Sequence, residues 1–346
     1  MRCLTRDEVK QVIEGRGCAV RPPIAFDHWI HSNAFQGKEE QKKKWLAGYP
    51  SDIEYFELNM PNLFTAPEEE PNYRWTGVDM EENTSAGLDS QVLIDDWEGE
   101  AAEIFFETFP SPEYPGLVPQ RESTDKYVLA RFWFCYFERL WMLRGMENAL
   151  TDFYLYPEKV HRLFQRLTDF YLRMMERACE ETHVDGFFVS DDLGTQKSTF
   201  FSPEIFREFF KPYYKKLFDK AHELGTHFWL HTCGNIQSFL PDFIEIGLDV
   251  IHPIQKYTMD EREIAQKYGN QICIFAGFDV QNTLPFGTEE EVRAEVRFML
   301  DTYWRDSGRL IMTMGNNSTP DWKLENLEAL YDETIRYGLA KSGKED

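Results

Sequence analysis

At 346 residues the chain is long enough to bury a large core, either as two ordinary domains or as one α/β barrel of about 250 residues with additions. Lys and Arg total 37 against 60 Asp and Glu, a formal net charge of −23, which argues against nucleic acid and against an anionic membrane surface as partners. Six scattered cysteines with no CxxC pair, no signal-peptide pattern at the start, and no apolar run near the ~18 residues of a membrane span point to a reduced cytoplasm.

The first half is irregular. Residues 23–26, 53–58 and 127–134 read as short apolar strands. Between Met60 and Asp125 runs an acidic excursion with turn clusters at 67–72 and 110–113. It is expected to be an insertion at about 60–125, an elaborated loop region serving as a lid or a small subsheet. Val160 to Glu180 carries helical periodicity and precedes a fourth strand at 184–190.

From there strands and helices alternate. A helix over 203–224 is capped by Ser202 with Pro203 in its first position. The next strand is His227 to His231, and a helix over 236–246 stops at Gly247. Further strands are read at 249–252, 272–276 and 310–313. Helices are read at 259–268, from a capping box at Thr288-Glu289-Glu290-Glu291, and from Asp321 to about Tyr337. Five successive βα units imply a parallel sheet, and with the three earlier strands they make eight, the number that closes a TIM barrel. No stretch rich in Gly, Ser or Pro marks a domain boundary, so residues 1–346 are expected to form a single (β/α)8 barrel domain.

Sites in such folds gather at the C-terminal ends of the strands. Asp27, His28 and Trp29 follow the first strand, with His31 close behind, and Glu57 closes the second. The fourth ends in Asp191-Asp192, the fifth in His231 and Cys233, the sixth in His252, and the eighth runs into Asn316-Asn317. His231 and Cys233 stand two apart on a β-to-α turn, so imidazole and thiol can face one point, and both are good ligands for zinc. Duller readings exist for the others. Asp191-Asp192 also suits a brace for the following loop, His252 a satisfied strand end, and Asn316-Asn317 a turn. Phosphate-cradling glycine motifs and a GxSxG nucleophile elbow are absent from the sequence.

The stretch His231-Thr232-Cys233-Gly234-Asn235-Ile236, with Leu240-Pro241 and residues 245–250, resembles the uroporphyrinogen decarboxylase superfamily. So do Gly277-Phe278-Asp279 with Leu284, Gly287-Thr288, Ser202-Pro203 through Lys211-Pro212-Tyr213, and Glu325-Asn326-Leu327. The resemblance implies a distorted (β/α)8 barrel and divides into tetrapyrrole decarboxylases and corrinoid-linked methyltransferases. Decarboxylases of the family carry an Arg-rich signature after the first strand, where this chain reads Asp27-His28-Trp29-Ile30-His31-Ser32-Asn33, without arginine. They also have Gly-His after the last strand, where Gly315-Asn316 stands here.

The methyltransferase branch therefore fits better. It implies methyl transfer from a small methylated substrate, methoxyaromatic ethers included, to a corrinoid protein. His231 and Cys233 would be metal ligands, Asp191, His252 and Glu57 catalytic groups, and Asp27, His28, Trp29, Asn316 and Asn317 substrate contacts. In thiol-activating relatives a third ligand, a cysteine, falls just after Gly315. Asn316 stands there instead, leaving Cys273 or Glu57 as substitutes. Trp29, Phe35, Trp133 and Trp229 are candidates to line an aromatic pocket. Two alternatives follow from the same resemblance, a zinc-dependent corrinoid:thiol methyltransferase and a tetrapyrrole- or corrinoid-binding protein without turnover. A homodimer is compatible with either.

Overall fold

A computed structural model describes residues 2–30, 37–77, 87 and 90–343. Eight parallel strands form one sheet: β1 (Ile24–Ala25), β2 (Ile53–Glu57), β3 (Tyr127–Phe132), β4 (Gly186–Ser190), β5 (His227–His231), β6 (Val250–His252), β7 (Cys273–Phe278) and β8 (Leu310–Met314). Their order, β1-β8-β7-β6-β5-β4-β3-β2, is that of a (β/α)8 TIM barrel nearly closed on itself.

The closure is held by side chains where the ladder is missing. Between β1 and β2 the Asp52 amide donates to the Ile24 carbonyl at 2.8 Å, and the Asp52 carboxylate accepts from the Ile24 and Leu4 amides at 2.8 and 2.7 Å. Arg21, fully buried, forks onto the same carboxylate at 2.6 and 2.9 Å. Buried charge is tolerated there because both partners are paired and bidentate.

Aromatic side chains fill the barrel's interior. Trp229, Phe188 and Phe275 meet with ring centroids 5.1–6.2 Å apart, and all three are fully buried. Glycine is required at Gly186, where a Cβ would come within 2.5 Å of the Tyr127 hydroxyl and 3.0 Å of Trp229 Nε1. A filled interior leaves chemistry to the strand C-terminal rim. Trp229 is thus barrel core and not part of a rim pocket.

Helices wrap the barrel where periodicity places them. Pro157–Glu181 buries one face (Val160, Leu163, Phe164, Leu167, Tyr171). The Thr288 capping box forms and starts Glu289–Tyr303. Two differences stand out. The helix expected over 236–246 is only Leu240–Glu245, because the residues before it are engaged in a loop contact described below. The helix expected over 203–224 is interrupted by a π turn at Phe206–Phe210, although Ser202 caps its start as expected. Between β2 and β3 the regular elements among the described residues are a helix, Glu100–Glu107, and an isolated bridge, Asn62 to Arg74. No helix among the described residues is long and apolar enough to cross a membrane.

Candidate functional site

Two loops are pressed together at the rim, and glycine is what lets them touch. Gly234, at φ +84, lies so close to Gly194 that a Cβ on it would come within 2.3 Å of the Gly194 carbonyl carbon. A Cβ on Gly194 would meet the Asn235 amide at 2.8 Å. The loops are then stitched. Asn235 N–H donates to Thr195 O at 2.7 Å, Leu193 N–H to Thr232 Oγ1 at 3.1 Å, and Cys233 N–H to Asp192 Oδ1 at 2.7 Å. The stitching after β4 and β5 brings Asp192, His231 and Cys233 together, with one donor atom from each within 4.8 Å of the others.

The His231 ring has a fixed tautomer. His252 Nε2 lies 2.8 Å from the Met314 carbonyl, which can only accept, so Nε2 carries a proton. Burial, reinforced by the neighbouring imidazole, holds His252 well below the usual histidine range, so the ring is neutral and its Nδ1 is an acceptor. His231 Nδ1, 2.7 Å away, must therefore donate to it. His231 is itself held low by burial, which leaves Nε2 with a bare lone pair. That atom is 3.4 Å from Cys233 Sγ and 3.7 Å from Asp192 Oδ1. Burial and the nearby Asp192 push the Cys233 thiol well up, so its proton lies between two acceptors, His231 Nε2 and the Asp192 carboxylate, while Asn316 Nδ2 donates to the sulfur at 3.5 Å.

This donor set suits a divalent metal. Tetrahedral zinc holds nitrogen, oxygen and sulfur ligands about 3.3–3.6 Å apart, near the 3.4 and 3.7 Å from His231 Nε2 to the other two donors. A bare Nε2 whose other nitrogen is hydrogen-bonded is the form in which histidine ligates. Three protein donors leave a fourth position open, as in catalytic sites. The third donor is Asp192. Cys273 begins β7, at the far end of that strand, and Glu57 is ion-paired with Arg131.

Beside the triad lies a cavity of about 370 Å³ lined by His28, Trp29, Glu57, Arg131, Trp133, Phe134, Glu138, Ser190, Asp192, His231, Asn316 and Asn317. The structure thus gathers His28, Trp29, Glu57, Asn316 and Asn317 there with His231, and Cys233 reaches it through His231 and Asn316. Trp133 also lines it, 6.3 Å from Trp29 between ring centroids. His252 does not. It stacks behind Trp29 at 4.8 Å and acts on the site through His231, as a positioning residue. Asp27 turns away, and its carboxylate accepts from the Ser51 hydroxyl on the segment entering β2. His31 and Phe35 lie outside the described residues.

Asp191 is the clearest departure from expectation. Its carboxylate is buried and accepts from the Tyr136, Phe137 and Glu138 amides at 2.8–3.1 Å and from the Tyr214 hydroxyl at 2.5 Å. It caps the helix Phe137–Arg144 and does not face the cavity.

That helix presents a residue absent from the sequence reading, Glu138. Ser190 Oγ donates to Glu138 Oε2 at 2.5 Å, and the carboxyl is almost wholly buried at the cavity wall. Burial, with Asp192 and Asp191 nearby, pushes it well above the carboxylate range, favouring its protonated form. Phe134, just before, adopts φ +68, a strained conformation for an aromatic residue.

Residues 132–337, more than half of the chain, match the family described as uroporphyrinogen decarboxylase (URO-D). The chain belongs to the URO-D family. Within it, a curated relative is the methylated-thiol–coenzyme M methyltransferase of Methanosarcina mazei, 28% identical over 159 residues. That match covers 45% of this chain and 40% of the relative, so the chain spans well under two thirds of it. A solved methyltransferase from Methanosarcina mazei superposes with a TM-score of 0.49 at 17% identity, covering 62% of this chain and 60% of that one. An intracellular xylanase from Thermoanaerobacterium saccharolyticum gives a TM-score of 0.44 at 10% identity, covering 94% and 98%.

Proposed function

We propose that this URO-D family protein is a methyltransferase that moves a methyl group between a small methylated substrate and a corrinoid carried by a partner protein. The observation carrying this reading is the Asp192–His231–Cys233 cluster, three donors converging on the strand C-terminal rim beside an aromatic-walled cavity. The partial match to a methyltransferase of the same family supports it.

Asp192 Oδ1, His231 Nε2 and Cys233 Sγ would hold a zinc ion. When bound, it supplies Lewis-acid withdrawal of charge from the heteroatom that loses the methyl group. The remaining work falls to the chain. Trp29 and Trp133 wall the cavity against water and flank a flat substrate. Glu138 holds a proton on its carboxyl at the cavity wall and can hand it to the heteroatom released. Arg131, over the Tyr55 ring at 3.9 Å, neutralises Glu57, so the cavity floor is not repulsive to an anionic leaving group.

A second polarity, activation of a thiol acceptor, gains support from one observation. The cluster is a complete three-donor set without any cysteine after Gly315. The direct assay follows the absorption of a reduced corrinoid protein mixed with this protein and methylated ethers, amines or thioethers. Consumption of the reduced spectrum only when protein and substrate are both present supports the transferase. An unchanged spectrum with every donor, alongside corrinoid binding, supports a carrier without turnover.

A further inference from the structure

A second chamber of about 490 Å³ adjoins the site cavity and shares Glu57, Trp133 and Phe134 with it as a common wall. The rest of its lining is mostly apolar, with Leu58, Leu63, Phe64, Phe132 and Met142 among the side chains. Its size is that of small-molecule sites. The polar groups around it are largely self-satisfied. Asn59 is bonded to Gly116 and Leu117, and Asn62 caps the amides of Phe64 and Thr65.

Arg139 is the exception. It lines the chamber, is 3% exposed, and forms no ion pair with a carboxylate of the described residues. Its guanidinium reaches the Met142 thioether at 3.8 Å, the Phe134 carbonyl at 3.4 Å and the Tyr171 hydroxyl, none of them a carboxylate, and its Nε has no partner. The adjacent Glu138 is turned to Ser190 and makes no ion pair with Arg139. The rings of Trp75 and Phe134, 4.4 and 5.8 Å from the guanidinium carbon, offset only part of the cost of burying the charge. A buried cation on the wall of an apolar chamber calls for an anion with an apolar body.

We infer that this chamber binds an apolar molecule ending in a single carboxylate, with Arg139 recognising the carboxylate and the common wall placing the other end beside Trp133. The assignment of that molecule as the substrate rests on the transferase reading; the recognition of charge does not.

The test is calorimetric binding of 3-phenylpropionate and of its neutral amide, 3-phenylpropionamide, to the intact protein. The acid should bind, and the amide should bind about 10- to 100-fold more weakly. In Arg139→Met the acid should fall to the level of the amide. Equal affinities in the native protein, or no binding of either, would overturn the inference, and so would discrimination surviving in Arg139→Met. Should that variant fail to fold, the comparison in the native protein decides alone. Methyl transfer is not read in this experiment. A failed transfer assay leaves a positive binding result standing, and equal binding leaves the transferase reading untouched.

Discussion

His231 and His252 share a hydrogen bond between their Nδ1 atoms, 2.7 Å apart, and that bond determines which side of His231 is bare. With both rings neutral the order of donors runs one way, from His231 Nδ1 to His252 Nδ1 and from His252 Nε2 to the Met314 carbonyl, leaving His231 Nε2 as an acceptor toward Cys233 and Asp192. The carbonyl at the end cannot donate, so for a neutral His252 the direction between the two rings is fixed. A metal taking the place of the thiol proton would leave the rest of the chain unchanged.

Both rings are held neutral in the folded protein, whereas the unfolded chain protonates them below about pH 6.5. Their contribution is therefore fully present above that value and is lost as pH falls below it. Asp191, pushed up to about 6, and Glu138, also raised, act in the opposite sense, their contribution being lost as pH rises. Comparison with His252→Phe isolates one ring. The variant should be less stable by about 1–3 kcal/mol at pH 7.5, through the unpaired Met314 carbonyl and His231 N–H. At pH 5.5 the gap should narrow by about 1 kcal/mol, because one proton fewer is taken up on unfolding. Urea denaturation at the two pH values measures both, and a gap that does not change with pH would refute the neutral assignment.

Gly234→Ala should be far more damaging than Gly225→Ala. Both positions have positive φ, +84 and +71, but a Cβ at 225 meets open space and one at 234 meets the Gly194 backbone. Strain alone costs about 1 kcal/mol, and the forced separation of the two loops should raise the loss at 234 to about 3 kcal/mol or more. Urea midpoints check the pair. Equal losses would mean that the crossing of the loops is not required.

Much of this architecture was legible in the sequence, and the exceptions have physical causes. Strands β3 to β8 lie where apolar runs between turn signals put them, since a parallel strand buried on both faces must be continuously apolar. The convergence of His231 and Cys233 was legible because two side chains able to ligate a metal stand two apart on one turn. Asp191 was chosen over Asp192 as the catalytic carboxylate, because nothing in the dipeptide says which side chain turns to a helix N-terminus and which to the next loop. Only the Gly194–Gly234 approach decides that. Glu138 and Arg139 stand in Phe-Glu-Arg-Leu-Trp-Met-Leu-Arg, where no spacing or motif sets either apart as a cavity-wall residue. The segment's charged side chains are buried along with all the others of that helix, which follows the left-handed turn at Phe134.

Glu138→Gln preserves shape and can still accept from Ser190, but it has no acidic proton to give. If Glu138 protonates the released heteroatom, turnover in the corrinoid assay should fall about 100-fold with the melting temperature almost unchanged. The loss should be smaller for donors whose leaving group needs no proton. A uniform small change across donors would assign Glu138 to structure alone.

The most direct measurement is the zinc content of protein purified without chelator, in the native form and in Cys233→Ala, Asp192→Ala and Asp191→Asn. A centre built from Asp192, His231 and Cys233 predicts close to one zinc per native chain and a loss of most of it in Cys233→Ala and Asp192→Ala, with both variants folded. Asp191→Asn should keep its zinc while losing about 1–3 kcal/mol of stability through the disrupted helix cap. Metal-free native protein that still transfers methyl groups at full rate would contradict the account, as would zinc that survives the loss of both Cys233 and Asp192.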